Sequence, residues 1–234
     1  MSSEPLTLLA DNPRWIAVDK PPGIAAIPAR DEAPEESLRH RLQQQLGVPL
    51  WVVHRIDRET SGVMIYARDA EAHRALNLAF QRGQVAKTYL AWTAGVPDPA
   101  SGQIGVPMHA ARKGKMRPAQ PGEPGAISAR TDYAVEHTWP HASAAIARVR
   151  CHPRTGRQHQ IRVHLRAIGC PILRDGYYGL ATFKPPYDGL PLQRLALHAA
   201  AIELPRVLEQ PAQRVEAAVP ADLRELESLL GERG

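Results

Sequence analysis

The chain has 234 residues, 44% of them hydrophobic and 23% charged, with no apolar run long enough to span a bilayer, which excludes a disordered or membrane-spanning protein. That length suits a single globular domain over residues 1–234 with a core of its own. The formal charge of +5 favours a polyanionic partner, and the two cysteines, Cys151 and Cys170, form no CxxC pair and read as buried small hydrophobes.

The start, "MSSEPLTLLADNPRW", lacks the basic segment and small-residue cleavage site of a secretory leader, so a cytoplasmic setting is expected. A strand follows at Trp15 to Val18, and the Pro-Gly pair after it predicts a chain reversal near Pro21 to Gly23. Leu38, Leu42 and Leu46, four residues apart, predict an amphipathic helix with Ser37 as N-cap and Gly47 as its stop. "WVVHRID" and "VMIYA" read as strands either side of a Thr-Ser-Gly turn. Asp69 then caps a second helix, with Ala72, Leu76, Ala79 and Phe80 on one face and Gly83 at its end.

"VAKTYLAWTAG" alternates as a half-buried strand does, placing Lys87 and Tyr89 on one face. From Gly105 to Gly125 the sequence turns to Pro, Gly and basic residues and reads as a long loop carrying Arg112, Lys113, Lys115 and Arg117. Strands are expected again at "ISARTDYAVEH" and "AAIARVRC". A helix follows "HPRTG", with Ile161, Leu165 and Ile168 as its buried stripe and His159, Arg162 and Arg166 on its polar side. "RLALHAAAIEL" reads as a strand, and "PADLRELESLLG" as a closing helix packed through Leu223, Leu226 and Leu230. Short strands with irregularly inserted helices, without a βαβ rhythm, predict an α+β fold around a mixed, largely antiparallel sheet flanked by helices and loops.

The charge is uneven. Between Glu136 and Asp175 no acidic residue occurs, while Arg148, Arg150, Arg154, Arg157, Arg162, Arg166 and Arg174 all do. Such a block suits forked contacts to phosphate, although a charge run is more commonly a solvated face. No HExxH, Cys-His cluster, GxSxG elbow or phosphate-binding Gly-rich loop occurs, so no metal site is expected and serine chemistry is set aside. What remains is the carboxylate of Asp57 in "HRIDRETSG". A carboxylate nucleophile suits cleavage of a glycosidic bond or addition to an electron-poor ring, and Arg55, Arg58 or Arg162 would keep it ionised. An Asp after a strand is more often a turn residue, and the residues alone stop at a basic, nucleic-acid-facing protein with a carboxylate as candidate active group.

Four segments in order, "VDKPPGIAAIPAR", "HRIDRETSGVMIYARD", "KTYLAWTAG" and "RTGRQHQIRVHLRAIGCPILRDGYYG", with "LALHA" near the end, resemble the RluA-type pseudouridine synthases over roughly Trp15 to Leu204. The layout is that of a small member without the S4-like amino-terminal module. The resemblance implies isomerisation of selected uridines in structured ribosomal or transfer RNA, without a cofactor or required metal, and a monomer is expected. It makes Asp57 the nucleophile, attacking ribose C1′ or uracil C6, and Arg162 the Arg that pairs with it. Tyr89 becomes the aromatic that stacks on the base, Leu197 part of the apolar wall, and Arg55 the residue filling the gap left by the extracted uridine. Arg112, Lys113, Lys115, Arg117, Arg157 and Arg166 are the expected phosphate contacts. Three positions depart from the family pattern: Ile56 stands for Leu, Asp19 for Asn, and Arg174 for Gly. A noncatalytic RNA-binding protein would not need Asp57, Tyr89 and Arg162 together, and a glycoside or nucleoside hydrolase would want a second carboxylate.

Overall fold

The computed structural model describes residues 5–28 and 33–232. The elements in chain order are β1 (Leu8–Asp11), β2 (Trp15–Lys20), α1 (Leu38–Leu46), β3 (Trp51–Val52), β4 (Ser61–Ala67), α2 (Ala70–Gln81), β5 (Ala86–Ala94) and β6 (Ser101–Ile104). They continue with β7 (Met108–Ala110), β8 (Met116–Pro118), β9 (Thr131–His141), β10 (Ala144–Pro153), α3 (Gln160–Ala167), β11 (Leu197–Leu204), β12 (Gln213–Glu216) and α4 (Ala221–Gly231). The fold is α+β, and no helix of the described residues is long and apolar enough to cross a membrane. The chain divides into two compact units, Met1–Lys87 with Ala199–Ala218, and Thr88–His198 with Val219–Gly234.

In the first unit the strand order is β1-β2-β4-β11, with β3 on β4 and β12 on β11. The pairs β1–β2, β2–β4, β3–β4 and β11–β12 are antiparallel. One face of these strands meets α2 in a core of Trp15, Ala17, Val63, Ile65, Leu76, Ile202 and their neighbours. Both helices form as their caps dictate. The Ser37 hydroxyl accepts from His40 N at 3.3 Å and Gly47 closes α1 at φ 68°, while the Asp69 carboxylate accepts from Ala72 N at 2.9 Å. Gly62, in β4, has φ 110°, and a Cβ there would stand 2.2 Å from the carbonyl oxygen of Ala199. Only glycine allows the two strands to approach so closely.

The second unit has the order β5-β10-β9-β6, with β10 antiparallel to both of its neighbours, and a separate hairpin of β7 and β8. Residues 105–125 are therefore not a plain loop. Met108 and Met116 anchor the hairpin in a small cluster with Ala129, Val163 and Tyr178, so two apolar side chains give this basic segment a core of its own. Cys151 and Cys170 are free and buried, as expected of small hydrophobes, and burial pushes the Cys151 thiol up to about 12.

Two further expectations change. "WVVHRID" is a strand only at Trp51–Val52. Beyond it, His54 Nε2 accepts the amide N–H of Ile65 at 2.9 Å, so a side-chain nitrogen takes the place of a ladder carbonyl and regular pairing stops. In α3 the polar side is not a solvent face, since Arg162 and His164 are buried together with Ile161, Val163 and Leu165. A polar residue at the solvent period of a helix can be buried when partners from other segments satisfy it, and both of these are so satisfied.

Candidate active site

Asp57 lies in the irregular stretch between β3 and β4, partly buried, with its carbonyl accepting from Thr60 N at 3.1 Å. The path of this stretch is set by Lys20, at the end of β2. Its side chain is fully buried, and its ammonium donates to the carbonyls of Pro21 at 2.8 Å, Ile24 at 2.9 Å and Arg58 at 2.7 Å. Gly23 N donates to the Arg58 carbonyl at 3.0 Å, and Arg58 Nε returns a bond to the Gly23 carbonyl at 2.8 Å. The Pro-Pro-Gly turn and the Asp57 segment are thus fastened to one another by the Lys20 cation and by a reciprocal pair of bonds between Gly23 and Arg58, one from the backbone of Gly23 and one from the Arg58 side chain. Lys20 stands in the first matched motif but carries no chemical signature in the sequence, because a lysine that gathers carbonyls reads like any other lysine.

Upstream, the His54 ring stacks on Phe80 with centroids 4.7 Å apart. Desolvation, with a smaller contribution from the charge of Lys87, holds its pKa down at about 3. The ring is neutral at ordinary pH, and the acceptor role of Nε2 puts its proton on Nδ1. Through Nε2 the ring holds the chain at Ile65. Arg55 is exposed. Ala29 and Arg30, at the end of the "IPAR" segment, lie outside the described residues.

In the second unit Tyr89 is partly exposed on β5, opposite Cys151 of β10 in the ladder. Leu197 is buried at the start of β11. Arg162 is gripped by Asp175, a residue to which the sequence assigned no role: Nε donates to Oδ2 and Nη2 to Oδ1, each at 2.8 Å. Asp175 is completely buried, and its Oδ1 also accepts from the backbone of Tyr177 at 2.9 Å and of Tyr178 at 3.0 Å. The guanidinium carbon lies 5.3 Å from the Tyr177 ring centroid and 5.1 Å from that of Tyr178. The Tyr178 hydroxyl accepts from Met116 N at 2.8 Å and is hydrogen-bonded to His159 Nδ1 at 2.8 Å, which ties the basic hairpin to the start of α3. Lys115 lies over the Tyr177 ring, 4.7 Å from its centroid.

Arg174 resolves a departure noted in the sequence. Its φ is 56°, a left-handed backbone that glycine adopts freely. Its side chain compensates by donating to the carbonyls of Asp188 and Leu190, each at 2.8 Å, so the arginine keeps the turn and staples the following segment to it.

The acid-free arginine block does not survive folding as a one-signed patch. Arg148 pairs with Glu136 and Glu227, Arg150 with Glu136, Arg154 with Asp132, and Arg162 with Asp175. The carboxylates come from outside the block, from β9, α4 and the turn after α3, so a gap in the linear sequence is filled in space. Arg157 and Arg166 remain exposed, as does Arg112. Arg117 is held by Glu123, whose carboxyl is brought down to about 2 chiefly by that hydrogen bond. The side chain of Lys113 lies outside the description.

A family model described as RNA pseudouridylate synthase matches residues 14–167, a span that holds the Lys20 fastening, the Asp57 segment, Tyr89 and Arg162. The chain belongs to this family. It is 34% identical over 197 residues to a dual-specificity RNA pseudouridine synthase RluA of Vibrio vulnificus, covering 82% of this chain and 75% of the relative. An RluA of Escherichia coli is 35% identical over 199 residues, covering 83% and 84% of the two chains. An uncharacterized RNA pseudouridine synthase of Zymomonas mobilis is 34% identical over 215 residues, covering 89% and 91%. Among solved structures, human RNA pseudouridylate synthase domain containing 4 superposes with a TM-score of 0.75 at 27% identity, covering 96% of this chain and 92% of that one. This synthase is accordingly an RNA-modifying isomerase of the RluA type.

Proposed function

We propose that this synthase converts specific uridines of structured ribosomal or transfer RNA to pseudouridine, with Asp57 as nucleophile, Arg162 as its charge partner and Tyr89 as the face on which the extracted base rests. The observation that carries the reading is the matched HRxDxxTSG segment, whose Asp57 is partly buried on a stretch fastened by Lys20. In the reaction the C1′–N1 bond of the uridine breaks after Asp57 attacks C1′ or C6. The uracil turns in place, C5 bonds to C1′ as the bond to Asp57 is released, N1 gains a proton and C5 releases its own. Reactant and product have the same composition, so neither an oxidant nor a cofactor enters the balance. In this reading Arg162 supplies charge opposite to that of the nucleophile, and Tyr89 offers an aromatic face with a hydroxyl at its edge.

Leu197 would contribute to the apolar wall, and Arg55 would take the place of the uridine in its stack. Arg112, Lys113, Lys115, Arg117, Arg157 and Arg166 would contact phosphates, with the strongest contributions from the exposed Arg112, Arg157 and Arg166. Both RNA classes are offered from the motif resemblance, and the dual specificity named for the Vibrio and Escherichia relatives is compatible with more than one target RNA.

Tritium release from uridine labelled at C5 tests this directly, because C5 loses its hydrogen only when a new bond forms there. Wild type is expected to release tritium from ribosomal or transfer RNA. Asp57→Asn is expected to fall by about 10³-fold or more while still binding the RNA. Release by Asp57→Asn at the wild-type rate would remove Asp57 as nucleophile. Salt-sensitive binding of both RNAs with no release by wild type would turn the reading towards a noncatalytic RNA-binding protein.

A further inference from the structure

We infer that Asp175 is a positioning residue for the isomerisation, acting through Arg162; the inference rests on the role proposed for that arginine. A guanidinium carries five N–H donors in one plane, and its usefulness to a reacting group depends on where that plane is aimed. Asp175 takes two of those donors, on the Nε and Nη2 edge, and thereby fixes the direction of the others. A single hydrogen bond would leave the plane free to swivel. A two-point grip does not.

The grip would be of little use if Asp175 itself could turn, and the structure prevents that. The backbone amides of Tyr177 and Tyr178 both donate to Oδ1, and Gly179 N donates to the Asp175 carbonyl at 2.9 Å, closing a tight turn around the carboxylate. The turn needs glycine at its end, since a Cβ on Gly179 would stand 2.6 Å from the carbonyl oxygen of Ile172. The two tyrosine rings, inclined at 85° to one another, lie beside the guanidinium and restrict its tilt. Tyr178 is itself pinned through its hydroxyl by Met116 and His159. Carboxylate, turn and rings thus form a rigid socket, with 0% side-chain exposure at Asp175 and 7% at Arg162, in which the arginine cannot change direction without breaking a buried pair.

A misaimed arginine still neutralises charge in bulk but no longer meets the developing charge of the transition state, and displacement of about 1 Å in such a group costs on the order of 10²-fold in rate.

The test combines kinetics with a measurement on the arginine itself. In saturating single-turnover assays, Asp175→Asn is expected to lower the rate about 10²-fold, with the Kd for RNA changed by less than about threefold. On an Arg162→Lys background, where the fork is already lost, adding Asp175→Asn is expected to lower the rate by no more than about twofold. Equal losses on both backgrounds, or a folded Asp175→Asn enzyme with the wild-type rate, would overturn the inference. The second readout is the Nε–H resonance of Arg162 in ¹⁵N-arginine-labelled wild type, assigned by its disappearance in Arg162→Lys. One sharp, slowly exchanging signal is expected, and a rapidly exchanging, averaged signal would overturn the inference even if Asp175→Asn fails to fold. Absence of isomerase activity in wild type would count against the proposed function, while the resonance would still judge the socket.

Discussion

The Asp57 segment and the Arg162 socket are two corners of the molecule built around buried cations, and they use those cations in opposite ways. Lys20 is a compact point charge that draws three carbonyls from two segments towards itself, so the cation organises the backbone. Arg162 is a planar fork held by one carboxylate on a backbone turn, so there the backbone organises the cation. The difference follows from chemistry. An ammonium has rotatable donors that meet carbonyls from several directions, whereas a guanidinium has donors in a fixed plane that a carboxylate can lock. Lysine suits fastening a segment, and arginine suits presenting a direction.

Replacing the point charge is the severest way to break this contrast. Lys20→Met keeps the length and burial of the side chain but removes the ammonium from three carbonyls, of which that of Arg58 keeps Gly23 N as a donor. It is expected to cost about 3–5 kcal/mol in urea unfolding, and the Asp57 segment should lose its protection from hydrogen exchange before α4 does. A loss below about 1 kcal/mol would show that the carbonyls find other donors and that Lys20 is not the fastening.

The pH dependence of the Asp57 corner sharpens the contrast, because its histidine must remain neutral. The folded pKa of His54, about 3, lies below the ordinary value of 6.5, so between these values the unfolded chain binds more protons than the folded one. Stability is therefore fully present above about pH 6.5 and is lost as pH falls towards 3. By pH 5 the loss from this group is about 2 kcal/mol, at about 1.4 kcal/mol for each pH unit. His54→Gln, which retains an acceptor for Ile65 N, is expected to flatten the profile of unfolding free energy between pH 6.5 and 5. An unchanged slope would assign the acid sensitivity to other groups.

The smallest effect concerns the turn beside the Arg162 socket. Arg174→Ala and Arg174→Gly both remove the bonds to Asp188 and Leu190, but only alanine retains a Cβ at φ 56°. Arg174→Gly is expected to be the more stable of the two by about 1 kcal/mol in chemical denaturation. Equal stability would mean that the turn relaxes out of the left-handed region once the side chain is gone.

Much of the architecture was legible because local rules and tertiary packing agree. Ser37, Gly47, Asp69 and Gly83 bracket α1 and α2 where the periodicity of the leucines and alanines requires, and Leu223, Leu226 and Leu230 bury one stripe of α4. The limits of local reasoning appear where a distant group substitutes for a local one. His54 ends a strand that its apolar neighbours would continue, and Met108 with Met116 gives structure to a segment whose composition reads as loop. The arginine block looked free because its carboxylates, Glu136, Asp132, Asp175 and Glu227, lie outside it in the chain.

By itself, the sequence determined the α+β class, the helices and their ends, and the motif residues that place this chain among the RNA pseudouridine synthases, because hydrophobic period, capping chemistry and motif spacing are properties of neighbours along the chain. Only the tertiary structure decided which cations are occupied within the protein and which stand exposed, that Lys20 fastens the Asp57 segment, and that Asp175 grips Arg162. Those outcomes depend on which buried donors and acceptors meet across the fold, and a buried charge is settled by its partners in space rather than by its neighbours in sequence.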